Sequence, residues 1–398
     1  MVKRNPHFAK LQSGYLFPEI NKRKQAYLKM HPEAKILNLG IGDTTLPLDP
    51  HIAQRLQKHS FEMSTIEGYL GYGPEQGQSE LRQKIASVLY SGRVHSEEVF
   101  VSDGAKCDIG RLQLLFGPDA TMAVQDPAYP VYVDTSIMVG QPEIMYMPCN
   151  PENNFFPDLE QIKRTDLIYF CSPNNPTGAI STHEQLEKLI AFAKKNRSIL
   201  IFDSAYSAYI SDPSLPKSIY EIPGAREVAI EVGSFSKMAG FTGLRLGWVV
   251  IPEELRFEDQ TSVRKDWERI HTTFFNGASC IVQKAGLAVL ENEGLQFIQR
   301  MIESYMSNAE YLAENLRQLG ITTYGGDNAP YIWVYFGKSS SWELFDTLLT
   351  KAQIIATPGI GFGSEGEGFL RFSAFAQRSH IEEAVQRLKE LPLEVATA

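Results

Sequence analysis

Short apolar runs alternate with helical patterns between about residue 98 and residue 250. The runs EVFVSDG, TMAVQDP, DLIYFCSP, SILIFDSAY, VAIEVGSFSK and LRLGWVVIP predict strands, since they are short, apolar and rich in β-branched or aromatic residues. Helices are predicted for AKCDIGRLQLLFG and HEQLEKLIAFAKKN, and the segment after TMAVQDP is mixed. This alternation predicts an α/β fold whose large domain has a mixed, mostly parallel sheet sandwiched by helices.

The pattern changes after about residue 285. A long helical segment, QFIQRMIESYMSNAEYLAENLRQLG, precedes a strand around YIWVYF, a helix near WELFDTLLTKA and a strand FLRFSAF. We therefore expect a smaller α+β domain, completed by the N-terminal segment. The predicted boundaries are an arm and part of the small domain at 1–45, the large domain at 46–284 and the small C-terminal domain at 285–398.

Charge and composition exclude several classes of function. The 398-residue chain carries a formal net charge of -9, which argues against a nucleic-acid-binding protein because such a protein needs a basic patch. Its four cysteines form no CxxC pair, so neither a metal site nor a disulfide framework is predicted. No segment has the length of a membrane span or the apolar stretch of a signal peptide, so we expect a cytoplasmic enzyme.

Polar residues follow the predicted strands at the points where the strands end. Ligands of open α/β sheets bind beyond the carboxyl ends of the strands, so these residues predict one shared site. They are Asp103 with Gly104, Asp126 with Tyr129, Asn174 with Asn175, Asp203 with Tyr206, and the run from Ser234 to Lys237.

Lys237 lies in the run GSFSKMAGFTGLRLG and is the strongest catalytic candidate. A primary amine can bind an aldehyde cofactor such as pyridoxal phosphate covalently and later move protons. Ser234, Ser236 and Arg245 can then donate hydrogen bonds to the cofactor's phosphate. A solvated surface lysine is the alternative for any single lysine, but these neighbours favour the cofactor site.

Asp203 ends the apolar run SILIFDSAY, where a carboxylate is costly unless a cation meets it. A protonated pyridine nitrogen would be such a cation, whereas a helix cap is the alternative. Tyr206 and the amide of Asn175, in CSPNNPTGAI, are candidate donors to the cofactor's ring oxygen. The prolines of that turn are candidates for cis peptide bonds.

Two further segments complete the predicted site. In VSDGAKCDIG, the backbone N–H groups of Gly104, Ala105 and Lys106 open a helix and can meet a phosphate. Arg371, within FLRFSAF, needs an anion, and the α-carboxylate of an amino acid suits its guanidinium, although a structural salt bridge is the alternative.

Three other patterns give weaker evidence about function. GFGSEG at 361–366 matches a dinucleotide fingerprint by letter, but a strand follows it instead of a helix, so we predict a glycine-rich loop. His271 is interpreted as structural. Tyr72 and Glu75 lie in a glycine-rich loop that a partner surface could order.

With these motifs assembled, the chain resembles the fold-type I pyridoxal-phosphate enzymes, the aspartate aminotransferase superfamily, over nearly its whole length. NPTG at 175–178, Asp203 with Tyr206, and SxSK followed by GLRLGW carry the resemblance jointly. Within the superfamily it is most similar to the LL-diaminopimelate aminotransferase family. The segments that carry this similarity are GYLFPEI, LGIGDTTLPL, GYGPEQG, VSDGAKCDIGR, QDPAYPVYVD and FNGAS.

The resemblance implies an aminotransferase that converts tetrahydrodipicolinate and L-glutamate to LL-2,6-diaminopimelate and 2-oxoglutarate, for lysine and peptidoglycan synthesis. It implies a homodimer with shared active sites, small amino-acid and oxo-acid substrates, and pyridoxal 5'-phosphate as cofactor. Two rival readings stay open: a general aspartate-type or aromatic aminotransferase or β-lyase on the same fold, and a binding protein without turnover.

The resemblance also implies roles for single residues. Lys237 would bind the cofactor covalently, Asp203 would meet the pyridine nitrogen, and Tyr129 would stack on the ring. The implied catalytic residues are Lys237, Asp203 and Tyr206. The implied cofactor-binding set is Tyr72 of the other subunit, Ala105, Lys106, Tyr129, Asn175, Asp203, Tyr206, Ser234, Ser236, Lys237 and Arg245. The implied substrate-binding set is Tyr15, Gly42, Glu75 reaching across the dimer, Lys106, Tyr129, Asn175, Asn276 and Arg371.

Overall fold

The structure is a computed structural model that describes residues 1–11, 16–141, 143–337 and 339–391. The strands in chain order are β1 (Leu37–Asn38), β2 (Val99–Ser102), β3 (Met122–Asp126), β4 (Ile144–Pro148), β5 (Leu167–Cys171), β6 (Ile199–Asp203), β7 (Ala229–Ser234), β8 (Gly247–Val250), β9 (Thr322–Gly325), β10 (Tyr331–Tyr335), β11 (Ile354–Ile355), β12 (Thr357–Pro358) and β13 (Phe369–Ser373).

The helices are α1 (Leu16–Met30), α2 (Pro50–Glu62), α3 (Ser79–Lys84), α4 (Ala105–Phe116), α5 (Val131–Val139), α6 (His183–Asn196), α7 (Phe235–Ala239), α8 (Val263–Ile270), α9 (Cys280–Val289), α10 (Asn292–Gln318), α11 (Ser341–Thr347) and α12 (Arg378–Lys389). Turns of π-helix extend α3, α8 and α11 at their C-terminal ends. Among the described residues, no helix is both long enough and apolar enough to cross a bilayer.

The large sheet has seven strands in the order β2-β8-β7-β6-β5-β3-β4. The five strands from β7 to β4 run parallel, whereas β8 is antiparallel to both of its neighbours. Successive residues of β5 pack into different apolar cores: Ile168 and Phe170 into one, Leu167 and Tyr169 into the other. Both faces are therefore buried, as in parallel sheets covered by helices. The predicted α/β class is confirmed.

The mixed segment after β3 forms helix α5 and edge strand β4, neither of which the sequence pattern predicted. Helix α5 has the sequence VYVDTSIMV, which is apolar around most of its circumference and so lacks a polar stripe. Its C-terminal residue is followed by Gly140 in the left-handed region, where glycine adopts the conformation without a Cβ penalty. The chain then returns to the sheet as β4.

The C-terminal part of the chain forms a four-stranded antiparallel sheet in the order β12-β13-β10-β9. Helices α10 and α12 pack on it through an apolar core that includes Leu312, Leu316 and Val385. Strand β1, near the N-terminus, pairs with β11, with Leu37 opposite Ile354. The N-terminal segment thus joins the C-terminal part of the chain, while the domain boundaries stay a prediction.

Candidate active site

A cavity of about 590 Å³ lies at the carboxyl ends of the large sheet's strands. Twelve of the predicted catalytic, cofactor-binding and substrate-binding residues line it. The predicted residues that line it are Gly42, Ala105, Lys106, Tyr129, Asn175, Asp203, Tyr206, Ser234, Ser236, Lys237, Arg245 and Arg371. The strand ends therefore meet at one site, although Asp103, Asp126 and Asn174 do not line the cavity and bond elsewhere, to Arg111, to Ser364 and to Pro127.

Lys237 lies on the short helix α7, directly after β7. Its amine donates a hydrogen bond to the carbonyl of Gly42 and lies 5.8 Å from the centre of the Phe375 ring. Burial, together with the positive charges of Arg371 and Arg245, lowers the pKa of the Lys237 amine to about 8. A substantial fraction of this amine is therefore neutral near physiological pH, so it can act as a nucleophile or a base.

Asp203 lies at the end of β6 and is 6% exposed. One carboxylate oxygen accepts a hydrogen bond from the Tyr132 hydroxyl at 2.7 Å, and the other accepts from the Ala205 N–H at 3.0 Å. Burial raises the pKa of the Asp203 carboxyl, and these bonds oppose the rise. A cationic ring nitrogen in the cavity would favour the ionised form, so the site suits a protonated pyridine.

Arg371 is 1% exposed and lies between the rings of Tyr331 and Phe362. It donates to the side-chain oxygen of Asn175 at 2.6 Å and to the carbonyl of Gly40 at 2.7 Å. It also donates to the Thr357 hydroxyl at 3.3 Å. All three acceptors are uncharged, and Nε has no hydrogen-bond partner among the described residues. Such a buried guanidinium fits an anionic ligand better than a structural salt bridge.

The bond from Arg371 also orients Asn175. A guanidinium only donates, so the amide oxygen must face it and the amide nitrogen is left as a donor for another acceptor. Nearby, the hydroxyls of Tyr206 and Tyr331 are 2.7 Å apart. Asn175 and Tyr206 both line the cavity, and their role as donors to a ring oxygen stays a prediction. The peptide bonds before Pro173 and Pro176 are cis, which confirms the expectation for this turn.

The opposite end of the cavity has the character of a phosphate site. Ser234 caps helix α7 by accepting a hydrogen bond from the N–H of Ser236. The Arg245 guanidinium lies against the start of α4, where a Cβ on Gly104 would be 2.5 Å from its Nη2 atom. Gly104 has φ of +119°, which glycine adopts without strain. Because glycine has no Cβ, the Arg245 guanidinium can occupy the space beside it. Hydroxyls, N–H groups and a cation converge here.

Lys106 and Tyr129 line the cavity side by side, with the Lys106 amine 5.5 Å from the centre of the Tyr129 ring. Tyr129 packs edge-on against Tyr132, which in turn holds Asp203. Tyr132 and Tyr331 are site residues that sequence reasoning missed. Tyr132 lies on α5, the unpredicted helix, and no sequence spacing links Tyr331 to the NPTG turn.

Three predicted residues lie away from the cavity of their own chain. Tyr72 is 93% exposed, and Glu75 and Asn276 are not among the residues that line the cavity. The loops that carry Glu75 and Asn276 touch each other, because a Cβ on Gly277, the residue after Asn276, would be 3.5 Å from the Cα of Glu75. Tyr15 lies outside the described residues.

The sequence profile of aminotransferase class I and II matches residues 34–388. The chain belongs to the class I and II aminotransferases. The matched region of this aminotransferase includes the cavity residues from Gly42 to Arg371.

Individual relatives are also similar to this aminotransferase. The LL-diaminopimelate aminotransferase of Protochlamydia amoebophila (strain UWE25) is 56% identical over 406 residues, with 99% of each chain covered. The chloroplastic LL-diaminopimelate aminotransferase of Arabidopsis thaliana is 53% identical, with 98% of this chain and 87% of the relative covered. The solved structure of the L,L-diaminopimelate aminotransferase from Chlamydomonas reinhardtii has 54% identity and a TM-score of 0.95, with 98% of each chain covered.

Proposed function

We propose that this aminotransferase catalyses the reversible conversion of tetrahydrodipicolinate and L-glutamate to LL-2,6-diaminopimelate and 2-oxoglutarate, with pyridoxal 5'-phosphate as cofactor. Relatives that are 56% and 53% identical carry the name LL-diaminopimelate aminotransferase. The structural observation that carries the proposal is the convergence of a buried amine, a buried carboxylate and a buried guanidinium in one cavity. These groups belong to Lys237, Asp203 and Arg371.

The residues of the cavity fit this cofactor. Lys237 would bind its aldehyde carbon, Asp203 its ring nitrogen, and Tyr206 with Asn175 its ring oxygen. The phosphate would be held by Ala105, Lys106, Ser234, Ser236 and Arg245, with Tyr129 against the ring face. The place that Gly104 leaves open for the Arg245 guanidinium supports this assignment independently of the resemblance.

Bound pyridoxal phosphate supplies an aldehyde for exchange with substrate amines and a ring that withdraws electrons from the substrate's Cα. The protein contributes positioning and proton transfer. With its pKa lowered to about 8, Lys237 can accept a proton at Nζ from the substrate's Cα and return it to another carbon. Asp203, whose carboxylate is held by Tyr132 and Ala205, would keep the bound ring protonated.

Arg371 is the proposed partner of the substrate's α-carboxylate. Its terminal nitrogens donate to Asn175, Gly40 and Thr357, and the centres of the Tyr331 and Phe362 rings lie 4.4 and 5.0 Å from its guanidinium carbon. Gly42 leaves room beside it, since a Cβ there would be 2.8 Å from the Tyr331 hydroxyl and 3.6 Å from an Arg371 nitrogen. A carboxylate bound in this place fixes which side of the amino acid faces Lys237.

Diaminopimelate carries a second ammonium and carboxylate at its distal end. We assign the ammonium to Glu75, and the carboxylate to Asn276 and Lys106, with Tyr15 as a further substrate contact. Glutamate lacks the distal amine, so a water molecule would replace it near Glu75. Because Glu75 and Asn276 lie outside the cavity of their own chain, we propose that both act in the partner's cavity.

A homodimer with shared sites follows from this assignment. The surface around the Tyr72–Glu75 loop supports it, because large apolar side chains are exposed there. They are Phe61 (73% exposed), Ile66 (92%), Tyr69 (66%), Leu70 (46%), Tyr72 (93%) and Phe274 (65%). Exposed apolar groups of this size are typical of an interface, where Tyr72 would reach the partner's phosphate site. The cytoplasmic location stays a prediction from the sequence.

Turnover with defined amino donors tests the proposal. The purified protein is incubated with pyridoxal phosphate, 2-oxoglutarate and one donor: LL-diaminopimelate, meso-diaminopimelate, aspartate or phenylalanine. We expect glutamate to form with LL-diaminopimelate at a kcat/KM at least about a hundredfold above the other donors, as a site with distal hydrogen-bonding groups can discriminate this strongly. Preferential use of aspartate or phenylalanine would support a general aminotransferase instead.

A further inference from the structure

Two loops that are distant in sequence form one unit on the surface, the paired loops 74–78 and 275–278. Gly277 has φ of +94°, and a Cβ placed on it would be 3.3 Å from the carbonyl oxygen of Pro74. The loops therefore touch through their backbones, and there is little room for a side chain between them. The first loop carries Glu75 and the second carries Asn276.

His271 bonds to both loops. Its Nδ1 atom is 3.2 Å from the carbonyl oxygen of Glu75, and its own carbonyl accepts a hydrogen bond of 2.8 Å from the N–H of Asn276. The carbonyl of Glu75 can only accept, so Nδ1 carries the proton in this contact. One residue thus fixes the backbone on both sides of the contact between the loops.

The His271 ring is held rigidly. It is 1% exposed, and the rings of Phe100, Trp267 and Phe275 lie 5.4, 5.1 and 5.3 Å from it. Burial lowers the pKa of His271 to about 4, so the ring is neutral at physiological pH and presents one N–H. Such a ring acts as a fixed donor toward Glu75.

Gln283 provides a second connection of the same kind. It is 2% exposed, its amide oxygen accepts from the Gln78 N–H at 2.7 Å, and its amide nitrogen donates to the Ala278 carbonyl at 2.9 Å. Gln283 therefore joins Gln78 to Ala278 through its side chain, whereas His271 joins Glu75, through its ring, to Asn276, through its own carbonyl. The relative position of Glu75 and Asn276 is set by these two connections.

We infer that His271 is a positioning residue for substrate selection, which holds Glu75 and Asn276 at the separation required by the distal ammonium and carboxylate of a diamino-dicarboxylic acid. This inference rests on the proposed function, which assigns the distal end of the substrate to those two residues. His271 does not touch substrate itself and acts through the backbone of the paired loops. Gln283 supports the same separation from the other end.

The test compares His271→Leu, which removes the ring donor, with His271→Asn, whose amide can donate from a position similar to Nδ1. For His271→Leu we expect KM for LL-diaminopimelate to rise on the order of tenfold, the cost of one buried hydrogen bond, while kcat and the KM for glutamate change less than about threefold. His271→Asn should restore KM to within about threefold of the original. If His271→Leu folds poorly, Gln283→Leu should show the same selective rise in KM for LL-diaminopimelate.

Val263→Ala is the matched control, because Val263 is fully buried at the start of the same helix, α8, and has no part in the paired loops. Hydrogen exchange of the peptides covering 74–78 and 275–278 should accelerate in His271→Leu and Gln283→Leu but not in Val263→Ala. An equal rise in KM for LL-diaminopimelate and for glutamate in His271→Leu would overturn the inference while leaving the proposed function intact. A selective rise in KM for LL-diaminopimelate in Val263→Ala would do the same. A wild-type protein that does not turn over LL-diaminopimelate would overturn the proposed function, and the inference with it.

Discussion

At the scale of single residues, Lys237 owes its chemistry to its surroundings. A solvated lysine has a pKa near 10.4 and is almost fully protonated at neutral pH. Here burial and the charges of Arg371 and Arg245 lower the pKa to about 8. The lowered pKa favours the neutral amine, which is the form that reacts with an aldehyde or accepts a proton.

This shift predicts how the apoprotein takes up pyridoxal phosphate. As the pH falls below 8, a growing fraction of the amine is protonated and unreactive, so the uptake rate should rise with pH and level off above about 8. Between pH 7 and pH 9 we expect a rise of about tenfold, whereas an unshifted lysine would give about a hundredfold. Stopped-flow absorbance measures the rate, and the reaction with N-acetyl-lysine methyl ester, expressed per neutral amine, corrects for the cofactor's own titration. A hundredfold rise after correction would contradict the lowered pKa.

The three charged residues at the centre of the predicted site share one property, a charge within or at the end of a largely apolar run. Lys237, Asp203 and Arg371 stand out in this way, and the structure brings them into one cavity, although their catalytic roles stay predictions. Tyr132 and Tyr331 do not stand out, because a tyrosine in an apolar segment looks like an ordinary core residue. Their contacts with Asp203 and Tyr206 depend on tertiary packing alone.

At the scale of elements, the start of helix α4 shows why a glycine precedes a binding site. Gly104 has φ of +119° and lies against the Arg245 guanidinium. Gly247, on β8, packs directly against Gly104, since a Cβ on Gly247 would be 2.8 Å from the Cα of Gly104. Strand β8, the loop after β2 and helix α4 thus meet at one point that only small residues can occupy.

Replacing Gly104 with Ala should weaken pyridoxal phosphate binding by about tenfold or more. Alanine is strained at this φ, and its Cβ would displace the guanidinium, at a cost of about 1–3 kcal/mol. Gly110→Ala on the same helix is the control, because its nearest neighbour would be a Thr135 methyl group at 3.9 Å. Fluorescence titration measures the affinity, and we expect Gly110→Ala to stay within about twofold. Equal losses in both variants would contradict this explanation.

Long periodic elements were predictable from the sequence, and short or uniformly apolar ones were not. The helices at AKCDIGRLQLLFG, HEQLEKLIAFAKKN and QFIQRMIESYMSNAEYLAENLRQLG all form where predicted, within a few residues. Strands β1, β11 and β12 have two residues each, too few for any periodicity. GFGSEG forms parts of two short 3-10 helices, Gly359–Phe362 and Ser364–Gly366, and is followed by strand β13, so the helix that a dinucleotide fingerprint needs does not follow it. Gly363 approaches Asp126 so closely that a Cβ would overlap the carboxylate.

At the scale of the whole molecule, the proposed dimer explains why a substrate-binding set is divided between a cavity and a distant surface. Arg371, Asn175 and Lys106 line the cavity, while Glu75 and Asn276 lie on the paired loops. The large sheet could be predicted from alternating patterns within one chain. The assembly could be expected only from the resemblance, because no intrachain pattern shows which surface meets a second copy.

Subunit mixing tests this sharing. Lys237→Ala alone should abolish turnover, and Glu75→Ala alone should lose most use of LL-diaminopimelate. If the sites are shared, a mixed dimer has one site with both defects and one intact site. Random exchange of equal amounts should therefore restore about a quarter of wild-type turnover, since half of the dimers are mixed. No restoration, with exchange verified by mass spectrometry, would place both residues in the same subunit's site.

The visible absorbance of the protein with bound pyridoxal phosphate tests the central claim most directly. We predict that the absorbance band of the lysine-bound cofactor is present in the wild type, absent in Lys237→Ala, and lost on addition of LL-diaminopimelate but not of the meso isomer. A band that responds equally to both isomers, or only to common amino acids, would contradict the proposed substrate. The absence of the band in the wild type would contradict the assignment of Lys237 and of the cofactor.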